Sequence, residues 1–336
     1  MKFIPGLVQF LLLPALALGC GCQLNPEQPP DEVALQLKGV HQAEFAGFYI
    51  ARERGYYSQE NLRVTFLEGE KDLAIVQRVA YGPAAFGVIA PESLLTARSQ
   101  GQPVTAIAAI YRQSPVTYVT LTDLGISRPR DFLGKTVATL DASGSQQDMQ
   151  LQFYIMMKRL GLDISKMKLI AWDPNYTTFY DGEAQITSCY SSGSLLAMRQ
   201  KGLKLNLIWP GDYGAYFYSD MVITRDGLIA ENPGLTARFL RATLRGWQDA
   251  IEDYQQAVPV ILKYARDKDP QLQAAMMEAQ LPLVHTGEDH IGWMKADDWQ
   301  SMYKLLQDYG LLTRPFDVTR AYTMRFLEEI YGSASR

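Results

Sequence analysis

Residues 35–68, LQLKGVHQAEFAGFYIARERGYYSQENLRVTFLE, constrain the fold more than any other part of the chain, because they read as strand, helix and strand with a polar break at the first junction. Val33, Leu35 and Leu37 alternate with Ala34, Gln36 and Lys38, the period of two expected of a strand, and the run ends at His41 and Gln42. Phe45, Phe48, Tyr49 and Arg52 follow at helical spacing, Gly55 offers a left-handed stop, and Leu62, Val64 and Phe66 alternate again. Such a unit places polar side chains at the carboxyl end of a parallel strand, beside a helix N-terminus. In open α/β sheets that is where ligands bind.

The same rhythm continues downstream. A helix is expected over 72–80, a strand over 85–90, a helix opened by Pro91 and Glu92 and ended by Gly101, and a buried strand over 104–110. A second α/β unit begins near Leu133, with a strand over 136–140, a small-residue loop over 141–145 and a helix over 146–160 closed by Gly161. Apolar runs at 168–171, 184–188 and 205–209 repeat the theme. From Asn232 and Pro233 onward the spacing is helical only, over about 233–252, 255–266, 271–281, 296–309 and 317–331. Two β-rich segments, 116–122 and 220–224, flank the middle unit and are expected to form a two-stranded hinge between two lobes that close around a ligand. The expected division is therefore 33–118 with 223–336 as lobe one, and 119–222 as lobe two.

At 336 residues the chain suits two compact lobes, and a net charge of −4 argues against nucleic acid, whose phosphates demand a basic face. Residues 1–19 read as a targeting segment: Lys2 is a minimal basic region, and 7–18 is apolar but too short to span a bilayer comfortably. The segment ends in Ala17-Leu18-Gly19-Cys20, which resembles a bacterial lipobox and implies cleavage before Cys20 and acylation of its sulfur, although Leu would be more typical than Ala17. Residues 20–32 then form a polar, Pro-rich tether. Only Cys189 lies in the body of the fold, where it reads as a small buried thiol and forms no intradomain disulfide.

These features, with HQAEFAGFYIARERGYYSQENLRVTFLEG, AFGVIAPESLLTARSQGQPVTAIAAI, LGKTVA, IWPGDYGAYFYSD and IAENPGLTARFLRATLRGWQDAI, resemble the type II solute-binding proteins of ABC importers. The nearest branch is the thiamine-precursor-binding family, which shares its fold with the eukaryotic thiamine pyrimidine synthases. The resemblance covers about 35–331. It implies an α/β, two-lobed periplasmic-binding-protein type II fold with two hinge crossovers and a helical C-terminal region. It further implies a monomeric, lipid-anchored receptor on the outer face of the bacterial cytoplasmic membrane, partnered by an ABC permease and needing no cofactor. The expected cargo is a hydroxymethyl- or formylamino-pyrimidine, with riboflavin as the alternative. A sulfonate or nitrate receptor would be expected to carry a more cationic pocket.

The synthases carry a cofactor-binding Lys and a sacrificial His in the segment matching 87–101, and a Cys-rich motif matching 212–219. Here Ile89 and Ser93 occupy the first two places and GDYGAYFYS holds no Cys. Without an amine no Schiff base forms to pyridoxal phosphate, and without the imidazole there is no nitrogen donor. Catalytic residues are therefore not expected.

The candidate ligand contacts fall at strand ends. In lobe one His41, Gln42, Glu44 and Phe45 are placed to face the cleft, although His41 could instead cap the helix and Phe45 could belong to the core. Glu92 at a helix start suits the donor and acceptor nitrogens of an amino-pyrimidine, and equally suits the helix dipole. Ser143, Gly144 and Ser145 form a loop before a helix, where backbone N–H groups bind anions or carbonyls. Tyr111, Tyr190 and Tyr213 are candidate stacking rings; Trp209 is read chiefly as structural. His285-Thr-Gly-Glu-Asp-His290 is not HExxH and is not expected to bind a metal.

Overall fold

The computed structural model describes Met1 and residues 29–69, 72–141, 147–265, 268–285, 287 and 289–334. Two five-stranded sheets are built from β1 (Asp31–Gln36), β2 (Leu62–Leu67), β3 (Phe86–Ile89), β4 (Val104–Tyr111), β5 (Val116–Leu121), β6 (Thr136–Leu140), β7 (Lys168–Ala171), β8 (Ile186–Tyr190), β9 (Leu205–Ile208) and β10 (Ser219–Arg225). The first sheet has the order β2-β1-β3-β10-β4 and the second β7-β6-β8-β5-β9. Strand β10 runs antiparallel to β3 and β4, and β5 runs antiparallel to β8 and β9. Each is the first strand after the chain crosses to a sheet. Consequently the starts of β5 and β10 lie at the same edges as the ends of β4 and β8, and it is there that the two lobes meet.

The opening unit forms as its pattern demands. Asp31–Gln36 and Leu62–Leu67 pair in parallel register, Val33 opposite Val64 and Leu35 opposite Phe66, and the helix Ala46–Glu53 joins them. Gly55, at φ +74, makes the left-handed turn that lets the chain reverse, a conformation that costs glycine least. That helix crosses the long helix Pro233–Glu252 where Gly47 meets Trp247 and Gly246 meets the Gly47 carbonyl; a methyl added at Gly246 would lie 2.2 Å from that oxygen. Phe86 stacks on Phe239 at 3.8 Å in the core of the first lobe, and fully burying a side chain of this size stabilises by about 1.5–3 kcal/mol. The helices Pro233–Glu252, Tyr254–Tyr264, Pro270–Val284 and Ala296–Asp308 cover the first lobe, as their amphipathic spacing requires.

Two expectations are corrected. The segments expected to form a two-stranded hinge are each a full strand of one sheet, β5 in the second and β10 in the first, so they do not pair with one another. The chain passes between sheets in the linkers 112–115 and 209–218 instead. Their high β content reflects burial inside the sheets rather than a crossover. The expected helix over 317–331 starts only at Arg325: Asp317 caps a short 3-10 turn by accepting from Thr319 N, and Tyr322 then forms a parallel bridge to Ala106 on β4.

Candidate functional site

Parallel sheets are covered on both faces, so a polar residue that continues a central strand must find a partner inside. Strand β1 is extended by the bond from Leu37 N to Leu67 O, and Lys38 then turns inward. Its Nζ lies 2.5 Å from Asp220 Oδ1 and 3.2 Å from Glu44 Oε1, and its side chain is 8% exposed. From the second lobe, the ring of Tyr190 lies beneath the same ammonium at 5.0 Å, and the Tyr190 hydroxyl donates to both oxygens of Asp148, at 2.8 and 3.1 Å. One cluster thus takes Lys38, Glu44 and Asp220 from lobe one and Tyr190 and Asp148 from lobe two.

The cluster is acidic in excess. Burial pulls the Lys38 ammonium down, but Asp220, Tyr190, Glu44 and Asp148 together outweigh it and hold Lys38 well above its ordinary value. Burial pushes the Asp220 carboxyl up to about 7, opposed by Lys38 and reinforced by Glu44. Burial also raises Asp148, against the pull of Lys38 and the Tyr190 hydroxyl. Three carboxyl groups share one ammonium in a dry setting. Hydrogen-bond donors and cations are the chemistry such a cluster accepts.

Around it a hydrogen bond crosses between the lobes and several others fix the first lobe. Gln152, on the helix Gln147–Arg159 of lobe two, donates from Nε2 to Glu92 Oε1 of lobe one at 2.7 Å and lies 3.0 Å from Ser114 Oγ in the first linker. Tyr111 OH donates to Gln280 Oε1 at 2.6 Å, and Gln280 Nε2 donates to Ala43 O at 2.9 Å. Gln273 Oε1 accepts from Ala43 N at 2.7 Å. The helix Pro270–Val284 therefore fixes the turn that carries Glu44.

A cavity of about 620 Å³ opens between the lobes, and none of the five cluster residues lines it. Both linkers line it, through Ser114, Trp209, Tyr216 and Phe217, together with Ser191, Gln152 and Leu283. Aliphatic residues such as Leu195 and Leu207, and the charged Arg199 and Asp212, complete its lining.

The structure distributes the expected residues unevenly. Tyr190 lies in the cluster, Gln42 donates to Glu44 Oε2 at 2.7 Å, and Glu92 bridges the lobes. Tyr111 is fully buried behind the cluster. His41 is placed outside it, its Nδ1 2.8 Å from Tyr49 OH and its ring against Tyr49 and Tyr264; burial lowers its pKa. Phe45 is 0% exposed and belongs to the first lobe's core, since its 3-10 turn is pinned under the helix Pro270–Val284. Tyr213 faces Arg128, Pro129, Leu160 and Leu162 on the second lobe, because Gly214, at φ +86, turns the chain after it. Trp209, Tyr216 and Phe217 from the same segment line the cavity instead. Cys20 and Ser143, Gly144 and Ser145 lie outside the described residues. His290 stacks on Tyr331 at 4.0 Å, and among the described residues no three His, Cys, Asp or Glu side chains gather as metal ligands.

Lys38, Asp148, Asp220 and Gln152 are absent from the sequence-based set of contacts. A signal for Lys38 existed: Gln36 and Lys38 fall on one face of a strand whose sheet is covered on both sides. Nothing local marked Asp220, whose partner lies 182 positions away along the chain.

Comparison with known proteins places these features in context. The family model described as "NMT1/THI5 like" matches residues 42–257. The riboflavin-binding protein RibY of Chloroflexus aurantiacus is 25% identical over 94% of this chain and 91% of its own length. The formylaminopyrimidine-binding protein of Halalkalibacterium halodurans is 23% identical over 93% and 96%. A 4-amino-5-hydroxymethyl-2-methylpyrimidine phosphate synthase of Legionella pneumophila is 22% identical over 83% and 87%. The periplasmic aliphatic sulphonate-binding protein SsuA of Escherichia coli superimposes with a TM-score of 0.69 at 12% identity, covering 87% of this chain and 92% of that one. The fold is the two-lobed α/β fold of periplasmic binding proteins.

Proposed function

For this chain, which belongs to the NMT1/THI5-like family, we propose the role of solute receptor for an ABC importer, closing two lobes on a flat, nitrogen-rich heterocycle. The observation that carries this reading is the cluster of Lys38, Glu44, Asp148, Tyr190 and Asp220, whose members come from both lobes and meet only when the lobes are together. The Tyr190 ring beside surplus carboxylate suits an amino-pyrimidine, whose ring stacks while its exocyclic amine donates. The cargo is accordingly a thiamine pyrimidine precursor of the hydroxymethyl- or formylamino- type. Riboflavin is the second reading, favoured by the 620 Å³ cavity with Trp209, Tyr216 and Phe217 on its wall, which exceeds what a single ring fills.

No bond is made or broken in this role. A Schiff base needs a neutral amine, and the one lysine in the cluster is held as an ammonium by its carboxylates. Ile89 closes β3 inside the core, and Ser93 opens the next helix, where a synthase would carry its Lys and His. A lipid on Cys20 and the 20–32 tether would hold the receptor at the outer face of the cytoplasmic membrane, near its permease. Intact-mass analysis that finds an unmodified N-terminus elsewhere would remove that anchor from the proposal.

The cargo is decided by calorimetry of the purified chain with formylaminopyrimidine, riboflavin and an aliphatic sulfonate. Stoichiometric binding of one heterocycle and its release unchanged support the receptor reading; turnover of pyridoxal phosphate into a pyrimidine would refute it.

A further inference from the structure

Asp220 joins three properties in one residue. It sits near the start of β10 at φ +49, in the left-handed region where a residue with a side chain is strained. Its side chain is 2% exposed. Its Oδ1 contacts Lys38 and accepts from Ser219 Oγ at 3.2 Å, while Oδ2 is buried with no donor among the described residues, the Glu44 carboxyl lying within hydrogen-bonding reach of the Asp220 carboxyl. Buried acceptors nearly always have partners, and strained backbone persists where a site uses it. Facing Asp220 are Lys38 from beyond β1, Glu44 from the 3-10 turn Ala43–Phe45 and Tyr111 from β4, with Tyr190 and Asp148 of the second lobe grouped on the same ammonium.

Resting on the reading of this cleft as the solute site, we propose that Asp220 decides which solutes it accepts, Oδ2 receiving an N–H from the edge of a donor-bearing ring and the carboxylate charge turning anions away. Receptors that share this fold include one for aliphatic sulfonates. A sulfonate here would meet three carboxyl groups against one ammonium. A heterocycle that offers an N–H beside an acceptor, the exocyclic amine next to a ring nitrogen in the pyrimidine precursors or the imide N–H between two carbonyls in flavins, meets the oxygen that lacks a donor.

The pairing carries a proton linkage. An N–H donor needs the ionised carboxylate, and burial holds Asp220 up to about 7. Affinity for a donor therefore rises with pH, and below neutrality a proton leaves as the solute binds. Titration of one such group makes binding about tenfold weaker at pH 6 than at pH 8.

The test is binding of riboflavin, which does not itself change charge between pH 6 and 8, alongside formylaminopyrimidine and an aliphatic sulfonate, to the full chain and to Asp220→Asn. The wild type should bind a heterocycle about tenfold more weakly at pH 6 and reject the sulfonate, and Asp220→Asn should bind weakly with no pH slope. Lys38→Met keeps the carboxylate and should shift the midpoint of the pH profile upward. Heterocycle binding that Asp220→Asn reproduces at both pH values, or a midpoint that Lys38→Met leaves in place, overturns the assignment of Asp220 while leaving the receptor reading intact. Failure of the wild type to bind either heterocycle overturns the cargo, and the donor assignment with it.

Discussion

Replacing Lys38 by Met removes the ammonium and keeps much of the stem that packs beneath it. At an effective dielectric constant of about 20, charges at the observed 2.5 and 3.2 Å attract by roughly 5–7 kcal/mol each, most of which is offset by the cost of drying three ionised groups. Breaking a buried pair by removing one partner costs about 3–5 kcal/mol when the remaining charge cannot neutralise. Here it can. Asp220 is already raised to about 7, roughly 3 units above an ordinary aspartate, and loss of Lys38 raises it further. A carboxyl whose folded pKa exceeds its unfolded one contributes most below the unfolded value, and stability falls as pH climbs towards the folded value, by up to about 1.4 kcal/mol per unit. The Lys38→Met penalty should therefore be small at pH 5 and grow only above about pH 7, reaching about 1–2 kcal/mol at pH 8. Urea unfolding of both proteins at pH 5, 6.5 and 8 reads it directly. A penalty that is flat with pH, or that shrinks as pH rises, would refute the picture of a lysine that neutralises a surplus of buried acid.

Gly246→Ala places a methyl 2.2 Å from the Gly47 carbonyl and 2.6 Å from Ala51 Cβ, so the two helices must separate; a loss of about 1–3 kcal/mol or more is expected in denaturant unfolding. Gln152→Ala deletes the 2.7 Å bond to Glu92 across the lobes, a charge-assisted bond of about 1.5–3 kcal/mol, and should weaken cargo binding about tenfold or more, measured by calorimetry. Scattering should also show that this variant compacts less on adding cargo. Trp209→Ala should cost about 0.5–1.5 kcal/mol in stacking for a three-ring cargo and little for a single ring, so riboflavin and formylaminopyrimidine titrations separate the two readings.

What the sequence determined alone is local. The alternation of Val33, Leu35 and Leu37, the left-handed turn at Gly55 and Pro91 at the first position of its helix each follow from the conformational preferences of a few neighbouring residues. The count of lobes and the helical C-terminal region follow from the same periodicities repeated. The polar cluster was legible in part, since polar residues at the end of β1 stand where α/β sheets commonly carry a crevice. The tertiary structure decided which polar residues actually meet. Burial on both faces turned Lys38 from a strand-end cation into the centre of the cluster. The antiparallel entry of β10 delivered Asp220 to it, and β8 and the helix Gln147–Arg159 supplied Tyr190 and Asp148 from the other lobe. Within 209–218 the sequence favoured Tyr213 for stacking and Trp209 for structure, and the fold reversed that order. One turn at Gly214 sent Tyr213 to the surface of the second lobe and left Tyr216 and Phe217 on the cavity wall. Local preferences fix which way each element runs, but a charge in a folded core is placed by contacts between residues far apart along the chain, and those contacts exist only after the elements have packed.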